Sequence, residues 1–169
     1  VSRRGFHLSR EYAIDPLEIM LVRDVMRTDI IVLSPADAAA PEAVRQRVEG
    51  LQQRLFPVAD ESGTYVGVVR AKDVPEFLVQ ARDGGEMPSC VNQNPVVALP
   101  DEPLRAVVNR MAEHSVTRLP VVALGTRPEL LGIIALHDLL QARVRNLKDE
   151  RLRERTLRMF VRDDETVAR

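Results

Sequence analysis

The sequence is poor in several things at once. Its 169 residues include one cysteine, Cys90, and three histidines. A single thiol forms no internal disulfide, and with three scattered histidines it builds no zinc site, so a reducing compartment is the simplest setting. Tryptophan is absent and aromatics make up 4%. An excess of either charge is also missing: 24 Lys and Arg stand against 25 Asp and Glu, a formal net charge of −1. Without surplus cations to displace phosphate counterions, a generally basic nucleic-acid binder is excluded. The apolar runs, Ile30–Leu33, Leu119–Leu124 and Leu130–Leu136, are short. None approaches the roughly 20 residues that cross a bilayer. No HExxH, CxxC, EF-hand loop, GxSxG, Walker A or GxGxxG occurs. No catalytic residue and no metal ligand set is therefore expected, and the chain is not expected to be an enzyme.

What is present is an ordinary globular composition, 45% hydrophobic and 29% charged. A chain of this length buries roughly 70% of its unfolded surface on folding, so it needs no disulfide or metal for stability. A start at Val1 is expected of a piece of a longer protein.

The informative feature is an internal repeat. The first copy runs from IIVLSPADA through a helical stretch to LFPVADESGTYVGVVRAKDVPEFL. The second runs from PVVALPDEP through a helical stretch to RLPVVALGTRPELLGIIALHDLLQA. Pro57 matches Pro120, Gly67 matches Gly132, and Asp73 matches Asp138. Glycine to aspartate is six residues in both copies, whereas proline to glycine is ten in the first and twelve in the second, a loop insertion. Each copy predicts a short strand (Ile30–Leu33; Val96–Leu99), then a helix. The first helix starts near Pro41 and stops at Gly50. The second is capped by Asp101 and carries the stripe Leu104, Val107, Val108, Met111. A strand with Phe56-Pro57-Val58 or Leu119-Pro120-Val121 follows, then a turn, then a third strand, Tyr65–Val69 or Leu130–Ala135. A second helix opens at Lys72 or His137. The unit is β-α-β-β-α, twice, an α/β (α+β) fold. Asp83-Gly84-Gly85-Glu86-Met87-Pro88-Ser89 reads as the boundary. A short helix is expected over Pro16–Met26, and one long charged helix from Leu139 to about Met159.

The doubled h-P-V strand and the doubled G-h-h-x-x-x-D ending resemble a tandem pair of CBS domains, over roughly residues 23–145. The resemblance implies two repeats related by a pseudo-twofold axis, at 23–84 and 85–145. Residues 1–22 would form a linker and flanking helix, and 146–169 a charged C-terminal helix or tail. The flank adds a second resemblance. Arg4-Gly5-Phe6-His7-Leu8-Ser9-Arg10-Glu11-Tyr12, then Asp15-Pro16-Leu17-Glu18 and Val22-Arg23-Asp24-Val25-Met26, is similar to a segment of prokaryotic ClC chloride channels and transporters. There it joins the last membrane helix to the cytoplasmic CBS pair. That implies a regulatory part of a membrane protein at the cytoplasmic face of the cell membrane. Its partners would be the parent's membrane transport domain and a second copy of the chain, in a homodimer.

The CBS resemblance also implies clefts between the repeats that hold adenosine-containing ligands, with ATP, ADP or AMP as possible ligands and no cofactor required. The family signature is G-h-h-[Thr/Ser]-x-x-Asp, whose hydroxyl and carboxylate bond ribose and phosphate. Asp73 and Asp138 occupy the carboxylate positions. The hydroxyl positions carry Arg70 and Ala135, so each copy keeps half of the signature. Arg70 can compensate by pairing with phosphate, and Ala135 cannot. Lys72 and His137, each just before an aspartate, stand where the resemblance implies a phosphate-facing side chain, and Arg118 would face the second cleft. The plain alternative is that Asp73 and Asp138 simply stabilise helix starts. Pro57 and Pro120 then shape strand edges, Gly67 and Gly132 serve a turn or a close backbone approach, and Cys90 is an inert thiol. Seven basic and three acidic residues between Arg143 and Arg158 suit an anionic leaflet, a solvated helix face or a partner subunit.

Overall fold

The computed structural model describes residues 15–82, 86–146 and 148. Two antiparallel hairpins organise it. The strand β1 (Leu55–Ala59) pairs with β2 (Tyr65–Arg70), and β3 (Arg118–Ala123) pairs with β4 (Glu129–Ala135). Their registers coincide: Pro57 faces Val68 as Pro120 faces Ile133, and Val58 faces Gly67 as Val121 faces Gly132. A bulge follows at the same place in each, between Val58 and Ala59 and between Val121 and Val122.

The prolines fit this register. The Val68 amide donates to the Asn92 carbonyl at 3.0 Å, and the Ile133 amide donates to the Arg27 carbonyl at 3.0 Å. Val68 and Ile133 thus turn their backbone groups away from β1 and β3, where Pro57 and Pro120 lack a donor. The first strand expected in each repeat contracts to one residue: Leu33 bridges Val58, and Ala98 bridges Val121, both in parallel. A proline two positions later, Pro35 or Pro100, has no N–H with which to extend the ladder.

The segment before each repeat clasps the hairpin of the other. Arg27 forms both backbone bonds with Ile133, at 2.9 and 3.0 Å, and Asn92 forms both with Val68, at 2.9 and 3.0 Å. This exchange is what a twofold relation between the repeats generates. It also explains the repeated glycines. A Cβ on Gly67 would lie 2.4 Å from the Asn92 carbonyl oxygen, and one on Gly132 would lie 2.3 Å from that of Arg27. Of the two roles expected for these glycines, close backbone approach is the one observed.

Helices cover the hairpins. The short α1 (Pro16–Ile19) is capped by Asp15, whose carboxylate accepts from the Leu17 amide. The single helix expected to Met26 is interrupted, because Met20 and Leu21 are extended and a 3-10 turn, Val22–Asp24, follows. Tertiary hydrogen bonds replace the helical ones: the Val22 amide donates to the Glu102 carbonyl and the Leu104 amide to the Met20 carbonyl. The helix α2 spans Pro41–Val48, and Gly50 at φ +81° turns the chain after it. The helix α3 (Val74–Arg82) follows a 3-10 turn at Ala71–Asp73, and α4 spans Leu104–Glu113. Asp101 does not cap α4. Pro103 is the cap residue, Asp101 pairs with Arg23, and Glu102 takes the Leu99 amide instead. The final described helix, α5, covers 136–146, and the expected continuation to Met159 lies outside the described residues.

Each repeat has its own core. One contains Leu33, Val44, Phe56, Val58, Phe77 and, from the segment before the second repeat, Val91. The other contains Leu104, Val107, Met111, Leu119, Val121, Ile134 and, from the segment before the first repeat, Val22 and Val25. The expected stripe of α4 buries Leu104, Val107 and Met111, with Val108 partly covered. The exchange seen in the backbone is therefore repeated in the apolar packing.

Candidate functional site

A cleft of about 640 Å³ opens between the repeats. One wall is the clasp at Arg27 and the chain running on to Ile31. A second is the approach to β1, residues 51–55. A third is the end of the other hairpin with the start of α5, where Ile133, Ala135, His137 and Asp138 lie beside Arg118 of β3. Gln53 fixes the first wall to the second. Its side chain accepts from the Ile31 amide at 2.9 Å and donates to the carbonyls of Ile31 and Leu55 at 2.8 and 3.0 Å.

Asp138 is the buried charged residue of the described core, 6% exposed. It sits in the first turn of α5, and its Oδ2 accepts the Ala135 amide at 3.0 Å, closing the strand-to-helix corner. Its Oδ1 accepts from Arg27 twice, from Nε at 2.9 Å and from Nη2 at 2.6 Å. A buried carboxylate needs such partners, since burying an unpaired charge is costly. Arg27 comes from the clasping segment, so the same residue bonds Ile133 through its backbone and Asp138 through its side chain.

The six residues singled out in the sequence divide. Arg118, His137 and Asp138 line the cleft together. His137 is exposed and bonds Gln141 at 2.8 Å, and Arg118 donates to the Thr117 hydroxyl at 3.2 Å. Arg70, Lys72 and Asp73 are not among its lining residues. At that end of the first repeat, Arg70 donates from Nε to Asp73 Oδ2 at 2.7 Å, a local ion pair on the surface, and Lys72 is exposed.

Sequence reasoning missed Arg27, Gln53 and Arg54. The Arg27–Asp138 pair joins positions 111 residues apart, and no local pattern reveals it. One signal was available: Arg27 matches Asn92 at the same offset that relates Asp73 to Asp138. A guanidinium thus stands before one repeat and a neutral amide before the other. Burial raises the pKa of the Cys90 thiol, and Glu76 adds to the rise, which suits an unreactive residue. No group of His, Cys, Asp and Glu suited to a metal occurs among the described residues, and none of their helices is long and apolar enough to cross a membrane.

Comparisons with known proteins agree with this architecture. The CBS domain family matches residues 22–79 and 86–145. Homoserine O-acetyltransferase of Methanococcoides burtonii is 32% identical over 118 residues, which are 70% of this chain and 23% of that protein. The CBS domain-containing protein YhcV of Bacillus subtilis is 30% identical over 120 residues, 70% of this chain and 81% of that one. The chain spans between 23% and 61% of the length of the first three curated relatives it matches. Among solved structures, the CBS domain of the bacterial CNNM/CorC family Mg2+ transporter superposes with a TM-score of 0.56 at 22% identity, covering 76% of this chain and 77% of that one. The cytosolic domain of the Mg2+ channel MgtE in complex with ATP gives 0.55 at 22%, covering 72% and 48%. The CBS pair of protein MJ0100, in complex with 5′-methylthioadenosine and S-adenosyl-L-methionine, gives 0.52 at 23%, covering 72% and 94%. With both matched stretches falling on the two clasped units and together spanning most of the sequence, the chain belongs to the CBS domain family and is a tandem CBS pair.

Proposed function

We propose that this CBS pair is a regulatory module whose cleft beside Asp138 takes an adenine nucleotide, ATP, ADP or AMP, and whose clasp passes occupancy to an attached membrane transport domain. The observation that carries the reading is the convergence of Arg118, His137 and Asp138 on one cleft large enough for a small-molecule ligand. The complexes named for MgtE and MJ0100 support adenosine chemistry as the class to test. Coupling has a physical route. Arg27 belongs both to the cleft wall and to the segment that leads back toward residue 15, so a ligand acting on the Arg27–Asp138 pair acts on that segment. A ligand shifts such an equilibrium only by its unequal affinity for the two arrangements.

The parent is proposed to be a ClC-type chloride channel or transporter at the cytoplasmic face of the cell membrane. The flank from Arg4 to Glu18 is what supports that choice over another CBS-bearing parent. Asp138 with Arg118 and His137 forms the principal site, and Asp73 with Arg70 and Lys72 a secondary one. Titrating the chain with ATP, ADP and AMP by calorimetry tests the sensing role. Saturable heat with any one of them is expected, and no binding at millimolar concentration overturns it.

A second reading is favoured by one feature. Ala135 supplies no hydroxyl and both Asp138 oxygens already have partners. The pair would then be a constitutive homodimerisation module with degenerate clefts. Val79 on α3 and Leu140 and Val144 on α5 are 63%, 56% and 50% exposed and offer apolar surface for a second copy. Light scattering distinguishes the two: a dimer indifferent to nucleotide supports the second, and a monomer at high concentration excludes it.

A further inference from the structure

We propose that Arg27 determines which ligand this cleft accepts. By holding the Asp138 carboxylate it leaves the cleft selecting for negative charge, that of a polyphosphate nucleotide, without reading the ribose hydroxyls. This rests on the nucleotide reading given above and narrows it.

A carboxylate reads a ribose diol by accepting a hydrogen bond from each hydroxyl, and it has about four lone-pair positions to do so. Asp138 has already filled three: two with Arg27 Nε and Nη2 and one with the Ala135 amide. It is also 6% exposed. Two hydroxyls cannot both be served unless the Arg27 pair breaks, and Ala135 brings no hydroxyl that would take over part of the recognition.

The charge around the cleft points to phosphate. Arg27, Arg47, Arg54 and Arg118 line it against Asp29 and Asp138, a local excess of cations in a chain of net charge −1. Arg27 and Arg47 are committed to Asp138 and Asp37. Arg54 has no side-chain hydrogen bond or ion pair among the described residues, and there Arg118 bonds only the neighbouring Thr117 hydroxyl. Two guanidinium groups with no carboxylate partner among the described residues, on a concave wall, focus a positive field and match phosphate oxygens in a bidentate fashion. The same field repels a sulfonium nucleoside.

Calorimetry of the 169-residue chain with ATP, 2′-deoxy-ATP and S-adenosylmethionine tests this. ATP and 2′-deoxy-ATP are expected to bind within about threefold of each other, and S-adenosylmethionine at least about tenfold more weakly. The double variant Arg54→Ala/Arg118→Ala loses about tenfold or more in ATP affinity. Arg27→Ala, checked for folding by its melting curve, frees Asp138 and makes the chain prefer ATP over the deoxy form. The comparison of ligands on the unaltered chain stands even if that variant fails to fold. An unaltered chain that prefers ATP over 2′-deoxy-ATP by more than about threefold overturns the inference while leaving the nucleotide site intact. So does S-adenosylmethionine binding as tightly as ATP, or a double variant with unchanged ATP affinity. If none of the adenosine compounds binds, the nucleotide site and this inference both fall.

Discussion

The two repeats share a backbone and differ in how they use their side chains. Both hairpins have the same register and the same bulge, and each glycine lies under a carbonyl from the segment preceding the other repeat. Even the turn before the first helix is shared. Asp37 accepts the Ser34 amide at 2.8 Å, and Glu102 accepts the Leu99 amide at 3.2 Å, each three residues on. At the signature aspartates the copies part. Asp73 pairs with Arg70, three residues away on the surface, and Asp138 pairs with Arg27 from the far end of the fold. A duplicated backbone fixes where a carboxylate stands, and the surrounding, unduplicated residues fix whether it is available.

The largest test of the shared part is in the cores. Phe56 and Leu119, 0% and 1% exposed, occupy matching places one residue before the prolines. Phe56→Ala should cost about 3–5 kcal/mol and Leu119→Ala about 2–5 kcal/mol in urea unfolding. If only one of the two substitutions destabilises, the cores are not equivalent. Gly67→Ala and Gly132→Ala should each cost about 1–3 kcal/mol, because a Cβ cannot coexist with the crossing carbonyl and the clasp must shift. Equal losses support reciprocal clasping, and a cost confined to one glycine breaks it.

The aspartates should separate the repeats. Asp138→Ala leaves the Ala135 amide and the Arg27 guanidinium without their partner, for about 1–3 kcal/mol, and Asp73→Ala removes an exposed pair worth about 0–1 kcal/mol. Equal melting shifts would erase the distinction.

The smallest effect concerns acid. Burial works against ionisation of Glu102, but the hydrogen bonds from Arg110 and the Leu99 amide outweigh it and hold its carboxyl below the usual carboxylate range. A folded-state value below the unfolded one means stability that is fully present above the ordinary carboxylate range and lost as pH falls through the depressed value. Glu102→Gln should therefore lower stability at neutral pH and flatten its decline on acidification. An unchanged acid limb would show that this turn contributes nothing to the pH dependence.

The legibility of the molecule follows the range of its interactions. The hairpins were readable because alternation, the prolines and the glycine-to-aspartate spacing are local and occur twice. The helix starting at Pro41 and the buried stripe of α4 were readable for the same reason. The strands expected at Ile30–Leu33 and Val96–Leu99 shrank to single bridges because nearby prolines end the ladder, and the helix expected over Pro16–Met26 broke because the turn before α4 competes for its amides. Half of the candidate site was legible. The doubled aspartates were found, but the cleft gathers only the second set, and Arg27, Gln53 and Arg54 carried no local mark.

The sequence by itself determined a duplicated α+β unit, through periodicities that act between neighbours in the chain. Only the tertiary structure decided which aspartate would be buried and what would hold it. An ion pair between Arg27 and Asp138 depends on the clasp that brings the first described segment against the last hairpin, and a contact of that range is a property of packing.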